Sequence, residues 1–276
     1  MWANRDWVGS ALPAGVAAGH ELGAYGQLLS SVEGNTTFYA LPDARTAARW
    51  CEAVPDDFRF CFKLPKTITH DRRLRHVDVE LREFIERLSP LRTAMGPTSV
   101  QLPASFGPSD LGALDAFLGL LPKDMEWAVE VRHTAFFADG EHERPLDDLL
   151  WQHNVNRVIF DTRAFFDGPA TTEAELDALT NKPRLPVRPT RTASSPIVRF
   201  LGQTNSGANP VYWDRWIPKL AEWCDDEATP YFFFHTPDNR TAPQQAIAVH
   251  NAVAAHSTRV AKIEMPDFDR TLFSDL

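Results

Sequence analysis

Strand-like and helix-like runs take turns along nearly the whole chain, and this alternation limits its fold more than any other feature. A strand places successive side chains on opposite faces, so a period of two marks it, whereas apolar residues three and four apart mark a helix. The clearest strand is Phe58-Arg59-Phe60-Cys61-Phe62-Lys63, with three phenylalanines on one side and Arg59, Cys61 and Lys63 on the other. Further strands are expected at Ser31 to Asn35, Ser99 to Leu102, Trp127 to Arg132, Arg157 to Asp161, Ile197 to Phe200 and Tyr231 to His235. Between them lie helical patterns. They run from Leu22 to Leu29, from Asp43 as a cap to Val54 before Pro55, and through Leu81, Phe84, Ile85 and Leu88. Others extend from about Ser109 to Leu121, from Leu146 to His153, through Trp213 to Cys224, and from Pro243 to about Ala255. Pro218 makes the first turns of the Trp213 helix irregular or delays its start. Strands separated by helices in this way imply a parallel sheet with helical crossovers. Seven strands are one short of a closed eight-stranded barrel.

A chain of 276 residues is long enough for one barrel with a large core, and no repeat or linker divides it, so residues 1–276 read as a single domain. One stretch breaks the rhythm. From about 162 to 196 the pattern gives way to prolines at 169, 183, 186, 189 and 196, with a helical turn or two around Ala174 to Leu179. A long irregular connection of this kind commonly lies over a functional face.

The formal net charge of −9 disfavours a protein that clings to nucleic acid or anionic membrane through overall charge. Cys51, Cys61 and Cys224 are scattered, without C-x-x-C spacing, which indicates neither a disulfide framework nor a thiolate metal site and fits a reducing compartment. No apolar run approaches the ~20 residues that span a bilayer, and Met1 to Trp7 does not read as a signal peptide. A soluble cytoplasmic protein is expected.

A set of landmarks in fixed order then resembles a known family: Val32-Glu33-Gly34-Asn35-Thr36-Thr37-Phe38-Tyr39, Phe60-Cys61-Phe62-Lys63, Ile68-Thr69-His70, Gln101-Leu102-Pro103, Val129-Glu130-Val131-Arg132-His133, Val198-Arg199-Phe200-Leu201-Gly202 and His235-Thr236-Pro237-Asp238. Together they resemble the YecE-like proteins, also called the domain of unknown function 72. The resemblance implies an α/β fold of the TIM (β/α)8-barrel type and implies no reaction. Members usually begin with a short strand ending in Gly, just before the segment that matches Trp2 to Gly9. This chain starts at Met1 without it, so the expected barrel has a first strand that is missing or irregular.

In such a barrel each strand presents alternate residues to the interior and to the helices. If the strongly apolar sides face the helices (Phe58, Phe60 and Phe62; Val129 and Val131; Val158 and Phe160; Val198 and Phe200), parity turns a polar set toward the axis. That set is Glu33, Asn35, Lys63, Gln101, Glu130, Arg132, Asp161 and Arg199, joined by His235 if Phe233 also faces in. All lie near the carboxyl ends of their strands, where barrels of this type build active sites. Three cations and three carboxylates buried there must pair with one another or with a ligand.

The expected function is therefore that of a hydrolase or lyase acting on a polar, anionic or phosphorylated small molecule at that face. Lys63, Arg132 and Arg199 hold anionic oxygens, with Asn35, Gln101 and His235 as further binding residues. Glu33, Glu130 or Asp161 supplies general acid or base, with His70, His133 or His235 relaying the proton. The same carboxylates and imidazoles could hold a divalent metal, although no H-x-H or H-E-x-x-H spacing supports one. Two alternatives stand beside the enzyme. One is a nucleic-acid-binding or repair-type barrel using the basic loop Thr69 to His76 against backbone phosphates, and the other is a non-catalytic ligand-binding or structural protein whose polar layer holds the barrel together.

Overall fold

The computed structural model describes residues 2–138 and 140–264; Met1, Asp139 and residues 265–276 of the expected single domain lie outside the described residues. Among the described residues there are seven strands, all parallel: β1 (Ser31–Gly34), β2 (Arg59–Phe62), β3 (Thr98–Gln101), β4 (Trp127–Glu130), β5 (Asn156–Asp161), β6 (Ile197–Leu201) and β7 (Tyr231–His235). β1 and β2 form a pair, with Val32 opposite Phe60, and β3 to β7 form a five-stranded sheet in sequence order. Single bridges, Phe60 to Met95 and Lys63 to Ser99, tie β2 to the neighbourhood of β3. The Leu64 amide also donates to the Ser99 carbonyl at 2.9 Å.

The sheet curls. Cys61, Ala128, Val158, Ile197, Tyr231 and Phe233, which come from β2, β4, β5, β6 and β7, pack into one buried cluster, and a flat sheet could not bring side chains from such distant strands together. The opposite side carries the larger apolar core. Val32, Phe58, Phe60, Phe62, Val100 and Val129 pack with residues of the helices Glu21–Leu28, Ala44–Glu52, Asp78–Arg87 and Leu111–Leu120. Val198, Phe200 and Phe234 pack on the helices Ile217–Asp225 and Ala242–Ala254. At roughly 1.5–3 kcal/mol for each large apolar side chain fully buried, this outer layer dominates stability.

Gly34 shows why β1 and β2 lie so close. A Cβ on Gly34 would stand 2.5 Å from the ring of Phe62, whose side chain is fully buried and stacked on Phe60, so only a glycine lets the two strands meet here. Asp43 caps the next helix, accepting from the Thr46 amide at 2.6 Å. Pro218 sits in the first turn of the helix Ile217–Asp225, where its missing N–H costs nothing, and the preceding chain is a short helix and a 3-10 turn.

The parity expected for β5 requires correction. Val158 belongs to the inner cluster and the ring of Phe160 lies under the Arg199 guanidinium, so these two face in, while Arg157, Ile159 and Asp161 face the helices. The polar residues of that outer side are satisfied by helical partners. Buried Arg157 donates to Asp147 at 2.7 Å and to Glu143 at 3.2 Å, and Asp161 accepts from Trp216 Nε1 at 2.8 Å. Inside, Asn156 accepts from the Ser195 amide and donates to the Trp127 carbonyl, fastening β5 to both neighbours.

The irregular connection after β5 contains the short helix Arg163–Phe166 and the helix Glu173–Asn181, longer than the turn or two expected there. Thr172 and Glu175 form a capping box at the start of the longer helix. Ala178 of this helix packs with Phe165, Leu201 and Phe160, which sets it over the carboxyl ends of β5 and β6.

Candidate functional site

Strand ends bring five polar side chains into one buried group. Arg199 of β6 is the strut: its Nε and Nη2 donate to the two carboxylate oxygens of Glu33 at 2.6 and 3.0 Å, and its Nη1 donates to Glu130 Oε2 at 2.8 Å. Lys63, just after β2, donates to Gln101 Oε1 at 3.0 Å and stands 3.2 Å from Glu33 Oε1. Arg132, two residues beyond Glu130, folds back so that its Nε and Nη2 reach Glu130 Oε1 at 2.8 and 2.7 Å. Glu33, Lys63, Gln101, Glu130 and Arg199 are all buried, whereas the Arg132 side chain keeps 22% of its surface exposed.

The group's titration follows from that packing. Burial alone would raise both glutamates, but Arg199 and Lys63 hold Glu33 well below the usual carboxylate range, and Arg199 and Arg132 bring Glu130 down to about 2. Both are carboxylates at neutral pH. Each glutamate meets two cations, Glu33 with Arg199 and Lys63, and Glu130 with Arg199 and Arg132.

Two histidines border the cluster. His235 Nε2 stands 3.8 Å from Glu33 Oε2, too far for a hydrogen bond, and has no hydrogen-bond partner among the described residues. Burial lowers its pKa against the pull of Glu33, which leaves the ring neutral at pH 7. His70 lies in the π-turn Thr67–Asp71, with its Nδ1 2.9 Å from Thr69 Oγ1 and its ring against Phe38. Burial, then Arg132 and Lys66, lowers it as well. Asn35 follows β1, and its Oδ1 is buried without a hydrogen-bond partner among the described residues.

Charge, not volume, locates this site. A cavity of about 420 Å³ lies at the other end of the strands, lined by Arg59, Glu126, Ser195 and Tyr231 among others. Its polar groups are partly paired with one another, Ser195 Oγ donating to Glu126 and Arg92 to Asp124.

The sequence model described as "Protein of unknown function DUF72" matches residues 1–269. The chain belongs to the DUF72 family. It is 44% identical over 244 residues to the UPF0759 protein YecE of Escherichia coli strain K12, covering 88% of this chain and 87% of that protein. The YecE protein of Escherichia coli O157:H7 is 43% identical over the same shares. Crystal structures of two DUF72 family proteins share the fold at 20% identity. That from Enterococcus faecalis V583 has a TM-score of 0.66 over 92% of this chain and 93% of its own. That from Thermotoga maritima MSB8 has a TM-score of 0.62 over 99% and 96%.

Three expected features of this DUF72 chain fall outside the cluster. Asp161 is on the helix side of the sheet, bonded to Arg163 and Trp216. His133 caps the 3-10 turn Thr134–Phe137, its Nδ1 accepting from the Ala135 amide at 3.2 Å, with its ring beside Gly107 and Phe136. In the basic loop, Arg73 and Arg75 both bind Asp110, at 2.6 and 3.1 Å, and Arg72 binds Glu80 at 2.9 Å, so its guanidinium groups are folded onto the protein surface. Among the described residues, no three His, Cys, Asp or Glu side chains gather closely enough to hold a metal ion, and no helix is long and apolar enough to cross a membrane.

Sequence reasoning missed the element that covers the strand ends here, the helix that Ala178 docks on Leu201 and Phe160. Lys182 caps the helix Glu173–Asn181, its amide donating to the Ala178 carbonyl at 2.9 Å, and burial, then Arg199 and Arg132, lowers the pKa of its ammonium. No periodicity marks it, because it lies in the proline-rich connection.

Proposed function

We propose that this DUF72 protein is an enzyme, a hydrolase or lyase, that binds a polar anionic or phosphorylated small molecule at the carboxyl ends of its strands. One observation carries the reading: among the described residues three cations, Lys63, Arg132 and Arg199, share two carboxylates, Glu33 and Glu130, so the group keeps a surplus positive charge in a poorly solvated place. An anion relieves that imbalance. Arg199 is saturated by the glutamates and positions them, while partly exposed Arg132, with Lys63 behind it, is the group an incoming anion meets first. His235, neutral and with an unbonded Nε2, is the proton acceptor the site offers, and His70 across Arg132 is a second.

The architecture in which this works is a TIM (β/α)8-type barrel forming one domain. The β1–β2 pair and the five-stranded sheet are parts of one wall, which the inner cluster and the Arg199 to Glu33 bond support. Trp7, whose Nε1 donates to the Asn239 carbonyl at 2.7 Å, brings the N-terminal segment beside the turn after β7, where the irregular first strand belongs. Free thiols, one of them buried Cys61, are in keeping with a reducing compartment such as the cytoplasm. Nucleic acid is the weaker ligand, since the loop arginines already have partners.

The test is a screen of phosphorylated and carboxylated metabolites for turnover, followed by His235→Gln. The substitution lowers kcat at least 100-fold, with the melting temperature unchanged, and the wild-type rate falls below the ordinary imidazole pKa as the ring protonates. Equal turnover by His235→Gln and wild type removes His235 from the reaction.

A further inference from the structure

The geometry points to a second ligand site, at the amino ends of the strands, that takes an apolar α-amino acid, its carboxylate meeting Arg59 and its ammonium meeting Glu126.

Inward-facing residues stand two apart along a strand; on β2 they run Arg59, Cys61, Lys63, and on β7 Tyr231, Phe233, His235. The middle members, Cys61 and Phe233, belong to the inner apolar cluster, and Lys63 and His235 border the buried charges at the carboxyl ends. Arg59 and Tyr231 therefore emerge on the other side of that cluster, where both line the cavity of about 420 Å³. Gly96 sets its floor. A Cβ there would stand 2.8 Å from Cys61 Sγ, 3.2 Å from the Tyr231 hydroxyl and 3.3 Å from Arg59 Cβ, so these three side chains surround one point that a glycine leaves open.

Polar groups kept for stability alone pair with one another. Two opposite charges in this cavity do not. Arg59 uses Nη1 on the backbone carbonyls of Asp56 and Phe58, at 2.8 and 2.9 Å, and among the described residues no carboxylate stands within ion-pair distance of it. Glu126 lines the same cavity; its Oε1 accepts from Ser195 Oγ at 2.8 Å, and it too has no ion-pair partner among the described residues. The cavity's other cation, Arg92, is held by Asp124.

These groups select the ligand by its charges. A simple anion leaves Glu126 unmatched, and a simple cation leaves Arg59 so; a zwitterion answers both. The free Nε and Nη2 of Arg59 present a fork to a carboxylate. The Tyr231 hydroxyl, buried and kept protonated by that burial, adds a donor on the same side. Asp57, on the cavity wall, is a second acceptor for the ammonium. Met95 and Met125 complete the lining with unbranched, adaptable surfaces that suit an apolar ligand side chain.

The test is isothermal titration of the full chain at neutral pH with L-leucine and L-methionine, and with two analogues of leucine: 4-methylpentanoate, which lacks the ammonium, and 3-methylbutylamine, which lacks the carboxylate. Leucine binds, and each analogue binds at least about tenfold more weakly. Arg59→Gln and Glu126→Gln each weaken leucine binding about tenfold with the melting temperature unchanged, the second keeping the Ser195 bond through its amide oxygen. Should either variant melt early, the wild-type analogue series decides. The proposal is overturned if neither amino acid binds, if either analogue binds as tightly as leucine, or if leucine affinity is unchanged in either folded variant. A loss of leucine binding on Arg132→Gln instead places the amino acid at the carboxyl ends, and overturns it as well.

Discussion

Arg199 and Glu33, 166 residues apart in the chain, meet through two parallel hydrogen bonds of 2.6 and 3.0 Å. The same guanidinium reaches Glu130 at 2.8 Å, so one side chain of β6 ties together the ends of β1 and β4. Such a fork matches a carboxylate in geometry as well as charge. Arg199→Gln leaves two buried glutamates short of their main cation and costs about 3–5 kcal/mol of unfolding free energy in urea. The sign of its pH dependence is diagnostic. Without Arg199 the glutamate pKa values rise above their unfolded values, so the variant is best tolerated at acid pH and loses stability as pH rises. A loss under 1 kcal/mol at pH 7 denies Arg199 this role.

Wild type shows the reverse dependence. Glu130, at about 2 when folded, and Glu33, also depressed, lie below the unfolded glutamate value, so their contribution is fully present above about pH 5 and disappears as pH falls toward 2. Denaturant melts at pH 7, 4 and 2.5 give a steeper decline for wild type than for a Glu33→Gln, Glu130→Gln double variant. Parallel declines contradict it.

Gly34→Ala forces a methyl group toward the Phe62 ring, 2.5 Å away and unable to retreat because its side chain is fully buried. The expected loss is about 1–3 kcal/mol, as for other overpacked positions. A neutral substitution shows instead that β1 and β2 can part without cost.

Asp161→Asn separates holding from binding. Asp161 accepts from Trp216 at 2.8 Å and from Arg163 at 2.8 Å on the helix side, so the amide costs roughly 1–3 kcal/mol of stability and leaves phosphate affinity within twofold of wild type. A selective loss of phosphate affinity with stability intact would return Asp161 to the site.

What could be read in the sequence depended on contrast between the two sides of each strand. In β2, phenylalanine opposed arginine, cysteine and lysine, and in β4, valine opposed alanine and glutamate, so one side was unmistakably the core. β5 offers no such contrast: Val158 and Phe160 are as apolar as any outward pair, and the polar residues behind them, Arg157 and Asp161, are stabilised by Asp147 of the preceding helix and by Trp216, 55 residues further on. A partner on another element leaves no mark on a strand's own periodicity. The same holds for the connection around Lys182, which Ala178 and Thr162 dock on the strand ends, and for Arg73 and Arg75 of the basic loop, which Asp110 holds.

The surplus of positive charge at the strand ends is tested most directly by diffraction from crystals soaked in bromide, with data at the bromine edge. An anomalous peak within hydrogen-bonding distance of Arg132, on the side facing His235, is the result this account predicts. Bromide peaks on the surface alone, with none beside Arg132, Lys63 or His235, would contradict it.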